Sequence, residues 1–445
     1  MIRSFLLKKI YFAAFASFFF LRLFSSPCFS AGQAPDKIEV YKAIVKYASF
    51  WNTSEAEILS AYSYNEADGA AKDNAFKLLK ERFSEKSVEY ETFVKFSEGL
   101  PVLFMTLTAN EKAFFSASKF DFSSLRKTVK LIAASSKYLL NNAKGSLALK
   151  SLLVTALFII NSEEAYYDSK SRSSLLAKMI SIACQNICLD AIIKILASSE
   201  FDEKLLLDLY VTADFIEKKK PAFALAAEEE RKQLVLAINK AASLNAAPGD
   251  LDIFAPEVFM AAAAEIKKSP FALKVVRLYA DEGIRQINEI FSSISAALKL
   301  PYHEASVEMN KVNDRLCSHG YNNFFAAVGA PNFLRMHDQI TKNYVLFDFV
   351  KISAALKAYK LKFNAFPASL DDIAKNFAGV SVPRDRFSGR NYDYRLISSG
   401  AFVLISPGPD CKIGTRIEEI STIISLQKNN GLDDLILTES GSLTK

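Results

Sequence analysis

The chain has 445 residues, of which 50% are hydrophobic and 23% are charged, and its formal net charge is +6. This length predicts more than one domain, and this composition excludes a disordered chain because it supplies enough apolar surface for a large core. The positive charge does not indicate nucleic-acid binding, because four basic residues lie in the first 22 positions and removing them leaves +2.

The first 30 residues have the pattern of a secretory signal peptide. Basic residues at positions 3, 8 and 9 precede an apolar run from Ile10 to Leu21, and residues 28–30 give a small-x-small pattern before Ala31. An uncleaved anchor is the second interpretation, although Arg22 interrupts an apolar run already shorter than the about 20 residues that span a bilayer. Lipid modification of Cys28 is the third. We therefore expect an exported protein of the periplasm or cell envelope, or a secreted one, with no membrane span after cleavage.

Four cysteines follow this signal segment. Cys184 and Cys188 lie one helical turn apart among apolar residues, which predicts two buried thiols. Cys317 and Cys411 are a candidate disulfide between the helical part and the C-terminal part, because an exported protein meets oxidising conditions.

From Asp36 to Leu361 nearly every segment has helical periodicity, and proline and glycine are sparse. Short polar turns separate the segments, which predicts an irregular antiparallel helical bundle or an α-solenoid-like array without a fixed repeat length. The apolar run Leu152–Ile160 has polar neighbours on both sides and is predicted to be a buried helix. The predicted helices include 70–83, 88–98, 123–142, 146–161, 175–196, 203–219, 223–241, 273–297 and 303–317.

This helical part contains no recognisable catalytic motif. The sequence has no Gly-x-Ser-x-Gly elbow, phosphate-binding loop or Gly-x-Gly-x-x-Gly turn, and His303-Glu304 lacks the second histidine of a zinc-protease helix. Isolated histidines such as His319 and His337 are more often core or capping residues than ligands. The three glutamates at 228–230 fan to different faces of a helix and indicate a solvated surface.

The C-terminal stretch has the strongest local signals. Apolar residues recur at steps of four and three from Val345 to Phe363, which predicts one face of a long helix with the lysines at 351, 357, 360 and 362 largely off it. Asn364 and the residue before Pro367 end this helix, and Ser369 is placed to cap a new short one. Alternating residues at 392–397 and 402–405 flank a loop with glycine, which predicts an antiparallel hairpin.

This order of elements resembles the globular head of the major, G-type pseudopilin of type II secretion. The resemblance covers roughly the last quarter of the chain and implies a small α+β head at 331–445. The patterns before it predict a signal peptide at 1–30 and an all-helical domain at 31–330. Arg386 stands where the family has proline, and no prepilin-peptidase site precedes the long helix, so a filament subunit is not expected. The matching positions are Ala355, Leu356, Tyr359, Phe366, Pro367, Asp385, Phe387, Gly389, Tyr392, Tyr394, Ser406, Gly408 and Asp410.

The resemblance also implies a calcium site, because such heads bind calcium in the loop after the second strand of the hairpin. Asp410 matches a family ligand, and Glu418 and Glu419 stand where the family has an acidic pair. Calcium takes about six to eight oxygen ligands, so these carboxylates would need backbone carbonyls beside them. The alternative is that Asp410 closes the turn after Pro409 and that both glutamates are solvated.

The resemblance and the lack of a catalytic motif together predict a non-enzymatic exported protein that binds or assembles with a protein partner. Such a role would link the protein to type II secretion or to a pilus-like system. Two alternatives stay open, since fold likeness alone does not carry function. One is an enzyme with its site in a groove of the helical domain, and the other is a head that serves only as a stability module.

Overall fold

A computed structural model describes residues 36–63, 69–103, 110, 114, 122–168, 174–243, 270–317, 332–398, 401–413, 435–438 and 443–444. The predicted signal segment and residue 331 at the predicted domain boundary lie outside these ranges, so both stay predictions. Helices make up most of the described chain, and a small antiparallel sheet follows them, which confirms the mainly α class. The helices are α1 (Lys37–Ser49), α2 (Thr53–Ser63), α3 (Gly69–Arg82), α4 (Val88–Ser97), α5 (Leu100–Leu103), α6 (Phe122–Asn141), α7 (Gly145–Asp168), α8 (Ser174–Ser198), α9 (Glu203–Lys219), α10 (Phe223–Ala242), α11 (Pro270–Ala297), α12 (Tyr302–Cys317), α13 (Phe333–Phe363) and α14 (Asp371–Asn376).

The helices predicted from periodicity are confirmed, and only α7 differs from its predicted range by more than a few residues. It continues to Asp168 through a polar stretch that the prediction left out. Glu163 in this stretch is buried, and its carboxylate lies 2.8 Å from Lys178 Nζ on α8. Buried Asn161 donates from Nδ2 to the hydroxyl of Tyr41 at 2.8 Å. The polar residues at the end of α7 therefore do not terminate the helix, because they bind side chains of α8 and α1.

Two apolar clusters fill the interior, and the 31-residue helix α13 contributes to both. Its first part, with Phe333 and Ile340, packs with α10, α11 and α12. From Val345 onward its apolar residues pack with helices α1 to α9 and with the sheet. At 1.5 Å per residue this helix is about 46 Å long, which lets it pass through both clusters. The helical part and the C-terminal part therefore share a core.

Helix α7 is a core helix. All residues from Leu152 to Ile160 are buried, which confirms the predicted buried helix. By length and composition alone, Gly145–Tyr166 and Leu175–Ser198 would each suffice to cross a membrane. In the folded chain, 78% and 56% of these apolar windows are buried against other elements.

The sheet consists of β1 (Asp393–Ser398), β2 (Ala401–Ser406), β3 (Leu435–Thr438) and the two-residue β4 (Leu443–Thr444), in the order β1-β2-β3-β4. All neighbours are antiparallel, and Tyr394 pairs with Leu404 in the middle of the first ladder. The predicted hairpin is thus confirmed, although its loop at 399–400 lies outside the described residues. The register shifts between Leu396 and Ser398. Among the described strands, β1 forms the outer edge of the sheet.

The end of α13 agrees with the prediction, while the start of α14 differs from it. Asn364 follows α13 with a φ of 56°, a left-handed conformation that terminates a helix. The residue before α14 is Leu370, which makes no capping hydrogen bond with its side chain. Ser369 makes one of the two hydrogen bonds of a capping box, because its backbone N–H donates to Asp372 Oδ2 at 3.2 Å. Its hydroxyl donates to the same carboxylate at 3.3 Å.

Candidate functional site

Five side chains from α9, α13 and the segment before β1 meet at the border of the interior, where four are buried and the arginine is 37% exposed. They are Glu217, Asp348, Lys351, Arg386 and Tyr392, and we call them the junction network. The Asp348 carboxylate accepts hydrogen bonds from Arg386 Nε at 2.8 Å and from the Tyr392 hydroxyl at 2.9 Å. Lys351 Nζ lies 2.9 Å from Asp348 Oδ1 and donates to Glu217 Oε2 at 2.6 Å. Arg386 closes the network with a 2.6 Å hydrogen bond to Glu217 Oε1.

The two carboxylates and two cations of the junction network lie beside a third carboxylate, Asp214 on α9, whose Oδ1 is 3.5 Å from Lys351 Nζ. Burial alone would lower the pKa of Lys351, but the charges of Asp348 and Glu217 outweigh burial and raise it. The pKa of Arg386 rises for the same reason, through Asp348 first. Burial and the charge of Asp348 raise the pKa of Tyr392 well above its usual value, so its hydroxyl stays a donor. All four carboxylate oxygens are engaged, so the network holds the C-terminal part against α9.

A tight turn at 385–390 places Arg386 in the junction network. The buried carboxylate of Asp385 accepts from both the backbone N–H and the hydroxyl of Ser388 at 2.7 Å, and from the Ser406 hydroxyl on β2. Gly389 closes the turn with its N–H on the carbonyl of Asp385 at 2.9 Å and a φ of +69°. Three positions of the pseudopilin resemblance, Asp385, Gly389 and Ser406, therefore shape this turn.

Other positions of the resemblance form core contacts around the sheet. The Tyr394 hydroxyl donates to the carbonyl of Pro367 at 2.9 Å. The ring of Phe366 packs edge-on against Phe402 of β2, with ring centroids 5.0 Å apart. In the described residues, these matched side chains join α13, its following turn and the sheet.

A second buried polar group lies between α8, α9 and α13. Lys178 donates to the carbonyl of Pro221 at 2.6 Å in addition to its ion pair with Glu163. Lys220 donates to the side-chain oxygen of Asn343, and its Nζ lies 3.7 Å from the ring centroid of Tyr344. Burial and then the charge of Lys178 lower the pKa of Lys220 well below its usual value. This amine, directly after α9, is thus engaged by side chains of α13.

The three predicted calcium ligands are only partly described. Asp410 is exposed, and its Oδ1 accepts a hydrogen bond from the backbone N–H of Lys412 at 2.9 Å. This contact closes the turn after Pro409, as expected if Asp410 has a structural role and is not a calcium ligand. Glu418 and Glu419 lie outside the described residues. Within the described ranges, no group of three or more His, Cys, Asp and Glu side chains is placed to hold a metal ion.

The predictions for the cysteines had opposite outcomes. Cys184 and Cys188 are buried thiols, as predicted, and burial raises the pKa of Cys184 to about 12. The candidate disulfide between Cys317 and Cys411 is wrong, because Cys411 is a free thiol. It has a φ of 58°, and its Sγ lies 3.4 Å from the carbonyl oxygen of Phe387. The thiol therefore packs against the turn at 385–390 in its own part of the chain.

Sequence analysis missed the junction network. The prediction that Lys351 lies largely off the buried face of α13 is wrong, because carboxylates of α9 and α13 surround its amine. Two features of the sequence are consistent with this network. Asp348 and Lys351 stand three residues apart within the most apolar part of α13, a spacing that lets them pair. Arg386 was noticed only as a departure from the proline of the resembled family.

The outer edge of the sheet exposes apolar side chains. Tyr392 at the start of the hairpin is buried, whereas Arg395, Leu396 and Ile397 in β1 are all exposed. Leu396 is 41% and Ile397 55% exposed. Among the described strands, β1 is paired through β2 alone. An edge strand of this kind presents backbone N–H and C=O groups to which another strand can be added.

Comparison of the chain with protein-family models, with curated proteins and with solved structures gave no match.

Proposed function

We propose that this is an exported, non-enzymatic protein of the periplasm or cell envelope that binds or assembles with another protein. The binding element is β1. The observation that carries the proposal is the exposed end of this edge strand, where Leu396 and Ile397 face solvent next to a hydrogen-bonding edge that no other described strand occupies. Strand addition at such an edge gives affinity through main-chain hydrogen bonds and selectivity through alternate side chains.

The junction network supports this proposal by making β1 rigid. Tyr392 and Arg386 attach the segment before β1 to Asp348, and Tyr394 attaches the strand itself to Pro367. A binding strand held in its bound conformation loses little conformational freedom on association, which favours affinity.

The pseudopilin resemblance supports a link with type II secretion or a pilus-like system. The long helix α13, the short helix α14 and the hairpin follow one another in the order that the resemblance implies. Calcium binding by Asp410, Glu418 and Glu419 belongs to the same proposal. A calcium-dependent rise in the melting temperature of the full mature chain, absent in Asp410→Ala, would support it because a ligand of the native state stabilises that state.

Photo-crosslinking in cells tests the binding role of β1. A photoreactive amino acid at position 397 should form a discrete crosslinked product in the envelope fraction, whereas one at position 307 should not. Val307 is 53% exposed on α12 and matches Ile397 in exposure but not in location. Ile397→Lys should abolish crosslinking from a neighbouring photoreactive residue at 395. Equal crosslinking from 397 and 307, or none from 397, would contradict the proposal.

A further inference from the structure

The two faces of β1 differ in chemistry. Tyr392 and Tyr394 point toward the core, so Asp393 and Arg395 alternate with them on the outer face. Arg395 donates to the Asp393 carboxylate at 2.6 Å and 3.0 Å, which places one acid and one base side by side along the strand.

We infer that a second copy of this chain adds its own β1 to this edge, antiparallel, across a two-fold axis at Tyr394. The inference rests on the proposed binding role of β1 and identifies the binding partner as a second copy of the chain. With Tyr394 opposite Tyr394 of the second copy, Asp393 faces Arg395 of that copy, and the converse pair forms by symmetry. The four charges then alternate in sign across the two strands.

Other registers of the same two-fold pairing lack this complementarity. An axis at Arg395 or at Asp393 places two like charges directly opposite each other, which destabilises an antiparallel pair. The register at Tyr394 also places Leu396 diagonally next to Tyr394 of the second copy, within reach of an aromatic ring. One register thus combines opposite charges with apolar contact.

The protection of the β1 edge against other strands is incomplete. Natural sheets protect their edges with charged side chains, especially lysine, with proline, with bulges or with very short strands. The six residues of β1 contain neither lysine nor proline, its register shift lies between Leu396 and Ser398, and the two charged side chains before that shift complement a copy of themselves. Because the ladder is short, the interface is below the size of a stable dimer, and we expect concentration-dependent association.

A charge-swap experiment tests the inference on the full mature chain. Sedimentation equilibrium of the wild type should show a mass that rises with concentration toward twice the monomer value. R395D leaves two acids on the outer face of β1, and D393R leaves two bases. Each variant alone should associate at least about tenfold more weakly than the wild type, because like charges then lie opposite each other.

Mixing the two variants should restore association, since every acid of one chain then faces a base of the other. R285D changes an exposed arginine of α11 by the same amount and should associate like the wild type. A wild type that stays monomeric, or a mixture that associates no better than either variant alone, would overturn the inference. If position 397 then still crosslinks to a different protein, the proposed function stands; if it crosslinks to nothing, the proposed function fails as well.

Discussion

At the scale of single residues, Asp348 is the centre of the junction network, because it contacts Lys351, Arg386 and Tyr392. Asp348→Ala removes the carboxylate that Lys351, Arg386 and Tyr392 share, and removal of one partner from a buried ion pair costs about 3 to 5 kcal/mol. We expect a loss of this order in the free energy of unfolding, measured by urea titration of the protein.

A surface ion pair provides the control for this prediction. Asp372 pairs with Lys375 at 2.9 Å on the exposed side of α14. Water screens such a pair, so Lys375→Ala should change the stability much less than Asp348→Ala. Equal losses in the two variants would show that the junction network contributes no more than a surface contact.

His337 makes the stability depend on pH. Its ring stacks on Tyr302, with centroids 5.0 Å apart, and burial lowers its pKa from 6.5 to about 4. The unfolded chain therefore takes up this proton first as the pH falls, so the contribution is complete above pH 6.5 and is lost toward pH 4. The full loss is about 3 kcal/mol, from 1.36 kcal/mol per unit of pKa.

Urea titrations at several pH values check this prediction by comparing the wild type with His337→Phe. The difference in their free energies of unfolding should shift in favour of the variant as the pH falls from 6.5 to 4. The Asp338 carboxylate, which accepts from the Tyr302 hydroxyl at 2.5 Å, is present in both proteins and does not distinguish them. A difference that stays constant over this range would refute the assignment.

At the scale of elements, the turn at 385–390 depends on the conformation of Gly389. A side chain at its φ of +69° is strained, although no atom would contact the added methyl group within 4 Å. We expect Gly389→Ala to lower the free energy of unfolding by about 1 kcal/mol. Gly69→Ala is the matched control, because that glycine has equally open space at the start of α3 but no positive φ. It should leave the stability unchanged or slightly raised.

The helix ends show which features of the fold can be predicted from the sequence alone. Periodicity predicted α9 with both of its ends and α13 with its end at Asn364, because those signals are local. The end of α7 was missed, since the buried Glu163 has its partners, Lys178 and Ser181, on the next helix. The junction network was missed because Arg386 and Glu217 are 169 residues apart in the chain. A local sequence pattern does not predict which charged residues, distant in the chain, form an ion pair in the folded protein.

At the scale of the whole molecule, the C-terminal part is built into the protein rather than appended to it. Helix α13 passes through both apolar clusters, and its buried charges attach the sheet to α9. This arrangement fits a body that presents one rigid edge strand, β1, to a partner. Residues of the pseudopilin resemblance, among them Asp385, Pro367 and Tyr394, form contacts around that strand.

Amide hydrogen exchange along β1 tests this account most directly. In a dilute solution of the protein, alternate amides of β1 should exchange much faster than those of β2, because they point away from the sheet. In the complex isolated after crosslinking at position 397, the same amides should become protected. Slow exchange of all β1 amides in the dilute chain, or no change in the complex, would contradict the claim that this edge is the binding element.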